Sequence, residues 1–266
     1  MKSIPAVESK SAVQGKPAVQ GKSVLEINQT TPFQRRSVSF VHRDHRLGPT
    51  MQRTWDEHRD RLMIDVPRAR ATTSVAAGFR LDAMRDFGRE APLVVEIGSG
   101  TGDAVVCAAQ DSPGTNFLAV EVYRPGLAAT VAKIVHHDLT NIRLVDADAM
   151  QVLKHMLAPA SVAEIWVFFA DPWHKARHHK RRLVNPVFAE LAASRLAQGG
   201  TLRLATDWLN YAEQMRDVLG ASGSLTNPYA GTPGFAPRFN GRAMTRFEEK
   251  GLASGRAIYD LEVRRG

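Results

Sequence analysis

The segment Asp171-Pro172-Trp173-His174-Lys175-Ala176-Arg177-His178-His179-Lys180-Arg181-Arg182 sets one carboxylate and one indole directly before a cluster of cations. From His174 to Arg182, five Lys/Arg and three His occupy nine residues. Phosphates are the natural partners of such a cluster. The segment follows an apolar run, Ile165 to Ala170, that reads as a buried strand. In open α/β sheets, ligands bind at the carboxyl ends of strands. Asp171 is therefore a candidate for chemistry on a ligand whose polyanionic body the basic loop holds, which points to an enzyme acting on a nucleic acid.

A second constellation, Glu96-Ile97-Gly98-Ser99-Gly100-Thr101-Gly102-Asp103, follows another apolar run. Glycines at 98, 100 and 102 allow a sharp turn and close approach of a ligand to the backbone. The spacing is GxGxG rather than the GxGxxG of dinucleotide binders. It suits a cofactor without a pyrophosphate, such as S-adenosylmethionine, and it is also compatible with a plain tight turn. Glu121 follows Glu96 at about the distance at which an acidic residue accepts hydrogen bonds from ribose hydroxyls. Asp148 suits an acceptor for an adenine amino group, and equally a cap for the helix after it. Trp173 reads as a ring for base stacking or as a core residue. Acidic or glycine-rich signals after three successive strands together describe a methyl-donor pocket.

Several elements must position these groups. Strands are expected at Leu93–Ile97, Phe117–Val122, Ile142–Val145, Val162–Phe169 and Gly200–Ala205. Helices are expected to about Gln110, then over Gly126–His136, Ala149–Met156, Pro186–Leu196 and Trp208–Leu219. Strands alternating with helices of this length imply parallel strands and right-handed crossovers, hence a doubly wound α/β sheet. Arg256–Arg264 alternates like an edge hairpin strand. Residues 1–35 are poor in bulky apolar groups, contain two copies of a hexapeptide over 11–22, and are expected to be a disordered tail. Residues 36–90 begin Arg-rich, with a helix expected over Thr50–Met63, and read as an extension on the core.

The chain has 266 residues and a net charge of +8. Residues 1–53 contribute +6 of that charge. Uneven basic charge suits a polyanionic partner, although a solubilising tail has the same composition. The single cysteine, Cys107, excludes an intrachain disulfide and a cysteine-based metal cluster. The arginines and lysines around His174, His178 and His179 disfavour a cation there, so no metal is expected. No stretch approaches the ~18 apolar residues of a membrane span, and the N-terminus lacks the apolar stretch of a secretory signal. A cytoplasmic protein with no membrane partner is the expectation.

The segment Phe168 to Arg182 resembles the signature of the bacterial tRNA (guanine-N7-)-methyltransferase family. So do Glu121-Val122-Tyr123-Arg124-Pro125-Gly126, Ala205-Thr206-Asp207-Trp208 and Thr245-Arg246-Phe247-Glu248. The resemblance spans roughly residues 90–264, with the motifs in the family's order. It implies a Rossmann-like, mostly parallel seven-stranded sheet of the class I methyltransferase type over residues 91–266. It also implies S-adenosyl-L-methionine as cofactor and the guanosine of the tRNA variable loop as substrate. Carried over by motif, the cofactor residues are Glu96, Glu121, Asp148 and Asp171, with Gly98, Gly100 and Gly102 forming the turn. Asp171 is the catalytic position. Lys175, Asp207, Thr245, Arg246, Phe247 and Glu248 fall at substrate positions. Arg177, His178, His179, Lys180, Arg181 and Arg182 fall in the RNA-contacting segment. Ala170 and Ala243 stand where many members have proline, which alters loop stiffness but removes no functional group. The sequence leaves monomer and homodimer open. It also leaves two other activities to distinguish: a methyltransferase for another RNA or for protein, and an RNA-binding homologue without catalysis.

Overall fold

The computed structural model describes residues 46–231 and 233–266. The expected tail and the first part of the Arg-rich stretch lie outside these residues.

Seven strands form one sheet in the order β3-β2-β1-β4-β5-β7-β6. They are β1 (Leu93–Ile97), β2 (Asn116–Glu121), β3 (Ile142–Asp146), β4 (Val162–Phe168), β5 (Leu196–Thr206), β6 (Leu225–Thr226) and β7 (Tyr259–Arg265). The first five run parallel, and β7 is antiparallel to both β5 and β6. Every residue of β1 is buried, as expected of a parallel strand covered on both faces.

Side chains alternate between two apolar clusters. Val95, Ile97, Ile165 and Val167 join the cluster under α6 (Pro186–Arg195) and α7 (Leu209–Gly220). Val94, Trp166 and Phe168 join the cluster under α3 (Asp103–Asp111) and α4 (Arg124–His136). The second cluster also takes Trp55 and Leu62 from the helix α1 (Pro49–Leu62). After that helix, the Ile64 amide donates to the Leu144 carbonyl at 2.8 Å and fixes the entry of the chain onto β3.

Four details depart from the sequence reading. The last strand is not at the edge, because the two-residue β6 pairs with its end through Leu225 and Thr226. That pairing is too short to leave a readable period. The fifth strand begins at Leu196 rather than Gly200, since it crosses an irregularity opposite Val162/Glu164 that Gly199 absorbs at φ +72°. The expected helix over Ala149–Met156 is one short α turn, α5 (Ala149–Gln151), followed by a π-helical turn over Val152–Met156. Two short helices, α2 (Ala83–Phe87) and α8 (Arg246–Ala253), complete the chain. Neither was read from the sequence, and α2, at five residues, is too short for a helical period to register.

Candidate active site

The strand order reverses between β1 and β4. At such a reversal the connections leave to opposite faces of the sheet and open a crevice at the carboxyl ends. The glycine turn leaves one side of that crevice and the Asp171 loop leaves the other.

The turn is built for close approach. Gly98, Gly100 and Gly102 all have positive φ, at +72°, +57° and +75°. A side chain there would be strained, because its Cβ crowds the backbone in the left-handed region. Helix α4 presses against this turn. A Cβ on Gly126 would lie 2.4 Å from the Gly100 carbonyl oxygen, and one on Gly102 would lie 2.5 Å from Thr130. Lys133 Nζ donates to the Thr101 carbonyl at 2.9 Å and also pairs with Asp103. Burial opposes ionisation of Asp103, but the hydrogen bonds from Lys133 and Thr101 prevail and hold its carboxyl below the usual range.

Two acidic groups lie beneath and beside the turn. Glu121 Oε2 accepts from the Gly100 amide at 2.8 Å, and Oε1 accepts from the amides of Val122 and Tyr123 at 2.7 and 2.9 Å. Burial raises its pKa, and these three backbone donors counter part of that rise. Glu96 is 4 % exposed. Burial pushes its carboxyl up to about 8, opposed by a backbone hydrogen bond at Val105. Among the described residues, Glu96 Oε2 and the Ser99 hydroxyl are buried without a hydrogen-bond partner. Orphaned polar atoms of this kind, at a glycine turn, fit a polar ligand that would complete them. Asp148 caps α5 by accepting from the Gln151 amide at 3.1 Å, in keeping with the capping alternative.

On the other side, Phe169 and Trp173 flank Asp171 with φ of +57° and +47°. A bulky residue in this region is a true outlier, and such outliers concentrate at functional sites. The Phe169 amide is held by the Ala205 carbonyl at 2.8 Å. Asp171 itself is exposed. Behind it, residues Ala176–Arg181 form a 3-10 helix. Lys175, Arg177 and Lys180 are exposed there, and His178 and His179 are half-buried. The pKa of His178 is lowered by desolvation and by the charges of Arg177, Arg181, Lys175 and Lys180. Trp173 is not in the core. It is half-buried, with the Arg181 guanidinium 3.6 Å over its ring.

Arg182 departs from expectation. It is 3 % exposed and cannot contact RNA with the rest of the run. The 3-10 turn directs it inward, where its guanidinium lies 4.8 Å over the Tyr211 ring.

The third wall comes from the C-terminal part of the chain. Asp207 follows β5, and its Oδ2 accepts from Arg256 Nε at 2.8 Å. Gly251 of α8 leaves room for it, since a Cβ there would lie 3.1 Å from the Asp207 side chain. An open groove of about 580 Å³ runs past Asp207, Trp208, Asn210, Arg256 and Tyr259. His174 meets Trp208 edge-on at 4.3 Å and joins this wall to the Asp171 loop.

The Thr245-to-Glu248 run divides in two. Thr245 caps α8, its hydroxyl accepting from the Glu248 amide at 3.2 Å. Arg246 and Phe247 are exposed, and the charge of Arg246 is felt at Asp103, beside the glycine turn. Glu248 also departs from expectation, being 1 % exposed and occupied by Arg238 and Arg242. Arg242, also 1 % exposed, bonds Asp260 of β7 as well. Glu248 therefore anchors α8 and does not face a substrate. Arg242, Arg256, Lys133 and Gly126 were not identified from sequence, although Gly126 lies in a quoted motif.

A family model described as a putative methyltransferase matches residues 90–261. A tRNA (guanine-N(7)-)-methyltransferase of Arthrobacter sp. (strain FB24) is 46 % identical, with 86 % of each chain covered. The chain belongs to the tRNA (guanine-N(7)-)-methyltransferase family. Its relative of that name in Cutibacterium acnes is 49 % identical over 87 % of this chain and 84 % of the other. The one in Burkholderia ambifaria is 44 % identical over 90 % of this chain and 89 % of the other. Membership in this family makes S-adenosylmethionine the cofactor, and the orphaned atoms of Glu96 and Ser99 fit it. Among the described residues, no helix is long and apolar enough to cross a membrane, and no cluster of His, Cys, Asp and Glu could hold a metal ion.

Proposed function

We propose that this protein transfers a methyl group from S-adenosylmethionine to N7 of a guanosine in the tRNA variable loop, in the cytoplasm. The observation that carries the reading is the reversal between β1 and β4, which opposes the glycine turn to Asp171 and its basic 3-10 turn. When bound, the cofactor supplies an electrophilic methyl group on a sulfonium. Gly98, Gly100, Gly102, Glu96, Glu121 and Asp148 would hold it.

Guanine N7 carries a free lone pair on the major-groove edge. It needs no base to deprotonate it, so the protein's task is chiefly orientation, which can lower a barrier by ~7–11 kcal/mol. Asp171 and Asp207 would accept from the guanine N1–H and amino donors and stabilise the positive charge that methylation leaves on the ring. Lys175 would take O6 or a phosphate. Arg246, whose charge is felt at Asp103 beside the turn, and the exposed Phe247 would line the base's approach. Arg177, His178, His179, Lys180 and Arg181 would grip the backbone.

The deciding experiment is nucleoside mass spectrometry of unmodified tRNA incubated with the protein and methyl donor. A single new 7-methylguanosine in the variable loop is expected. Methyl transfer to another base, or to protein in a mixed extract, would overturn the assignment.

A further inference from the structure

Arg182 closes the basic run but serves a different end from its neighbours. Its Nε donates to the Pro172 carbonyl at 2.8 Å. Its Nη2 donates to Asn210 Oδ1 at 2.9 Å, and its Nη1 to Gln214 Oε1. Both acceptors stand on α7. Every one of these partners is neutral, and burial pulls the guanidinium pKa down. A cation so placed is costly unless its whole fork is used. The fork is used here to join two things: the backbone next to Asp171, between the outliers Phe169 and Trp173, and a helix fixed in the core through Tyr211.

We propose that Arg182 is a positioning residue. It closes the segment from Pro172 to Arg182 into a ring, with Asp171 at one end and the phosphate-facing residues Lys175, Arg177, Lys180 and Arg181 along its arc. A backbone phosphate seated on the arc thereby sets the position of Asp171, instead of merely adding affinity. This rests on the roles given to Asp171 and the basic turn under Proposed function. A lysine reaches one of the three acceptors, so it leaves the ring open while keeping the charge.

The test compares Arg182→Lys, Arg181→Ala and Asp171→Ala in the full chain, reading kcat, KM for tRNA, the salt dependence of tRNA binding, and amide exchange by mass spectrometry. For Arg182→Lys, kcat should fall about tenfold or more. Its KM and salt slope should stay within about twofold of the parent. Exchange should quicken over residues 169–180 and nowhere else. Arg181→Ala should raise KM for tRNA and flatten the salt slope, the two effects that Arg182→Lys should spare. A raised KM and a flatter salt slope in Arg182→Lys at unchanged kcat would make Arg182 a phosphate contact and overturn the proposal. So would unchanged exchange over 169–180. If exchange quickens throughout Arg182→Lys, the decision passes to the double variant Asn210→Ala/Gln214→Ala, which keeps the guanidinium and loosens its anchor. That variant must lose kcat to the same degree, and full activity in it sinks the proposal. Parent-like turnover in Asp171→Ala would instead remove the role of Asp171, while exchange over 169–180 still decides whether Arg182 holds the loop.

Discussion

Glu121 Oε2 accepts a hydrogen bond from the Gly100 amide at 2.8 Å. The end of β2 and the turn after β1 are thus tied together through the acidic residue that would meet the cofactor's ribose. Glu121→Ala should release the turn as well as a ligand contact. Loss of a hydrogen bond to a charged group is worth about 1.5–3 kcal/mol, so cofactor Kd should rise about tenfold or more by calorimetry. An unchanged Kd would show that the carboxylate serves the turn alone.

Gly126→Ala should damage the site from behind. The added methyl would meet the Gly100 carbonyl oxygen at 2.4 Å, whereas one added to Gly114 would meet nothing within 4 Å. Overpacking of this kind costs about 1–3 kcal/mol. Thermal melting and cofactor titration should both suffer in Gly126→Ala and stay near the parent in Gly114→Ala. Equal behaviour of the two variants would mean α4 does not shape the turn.

Glu96 should make stability depend on pH. Its carboxyl is raised by burial from 4.5 to about 8 in the folded chain. Between those values the folded state keeps a proton that the unfolded state has lost. Stability from this group is therefore full below the unfolded pKa and is lost as pH rises through the folded one. Glu96→Gln should remove that slope, an effect on the order of a few kcal/mol between the two ends. Urea unfolding of both proteins at pH 5, 6.5 and 8 tests it. Parallel profiles would mean that Glu96 titrates normally.

Asp171→Ala should lower the single-turnover methylation rate by about 10²–10³, the usual effect of removing one stabilising group at a site of developing charge. Its exposed position predicts a melting temperature close to the parent's. Asp171→Asn, which keeps hydrogen-bonding capacity and removes charge, should fall between the two. A rate near the parent's in both variants would leave orientation to other residues.

Arg177→Ala with Arg181→Ala should weaken tRNA binding and lower the salt slope by about one for each phosphate that is no longer neutralised. An unchanged slope would show that the 3-10 turn does not face the RNA backbone.

The sequence made the sheet legible for a physical reason. Strands covered on both faces are continuous apolar runs, and Val94, Val95 and Ile97 stand out as such. The glycine turn was legible because its spacing matches the backbone conformations it must take. Arg182 was not, because it differs from Arg181 only in which way the turn sends it. The residues that receive it, Asn210, Tyr211 and Gln214, come about thirty positions later. Glu248 was hidden in the same way. Thr245-x-x-Glu248 has the form of a capping box, and the Thr245 half of that pattern is present. The glutamate is instead taken by Arg238 and Arg242, and the sequence marks neither as its partner.

Asp260 of β7 receives Arg242, and Arg242 in turn seats Glu248 at the base of α8. The order in which this site can be made during synthesis follows from that chain of charges. The glycine turn and Glu121 depend on β1 and β2, which emerge early and pair with each other, and the Asp171 loop needs β5 and α7 as well, which hold Phe169 and Arg182. The wall bearing Arg246 and Phe247 has no seat until β7 has been translated and laid against β5. The glycine-turn side of the site can therefore form first, and the wall of Arg246 and Phe247 is completed only once β7 is in place.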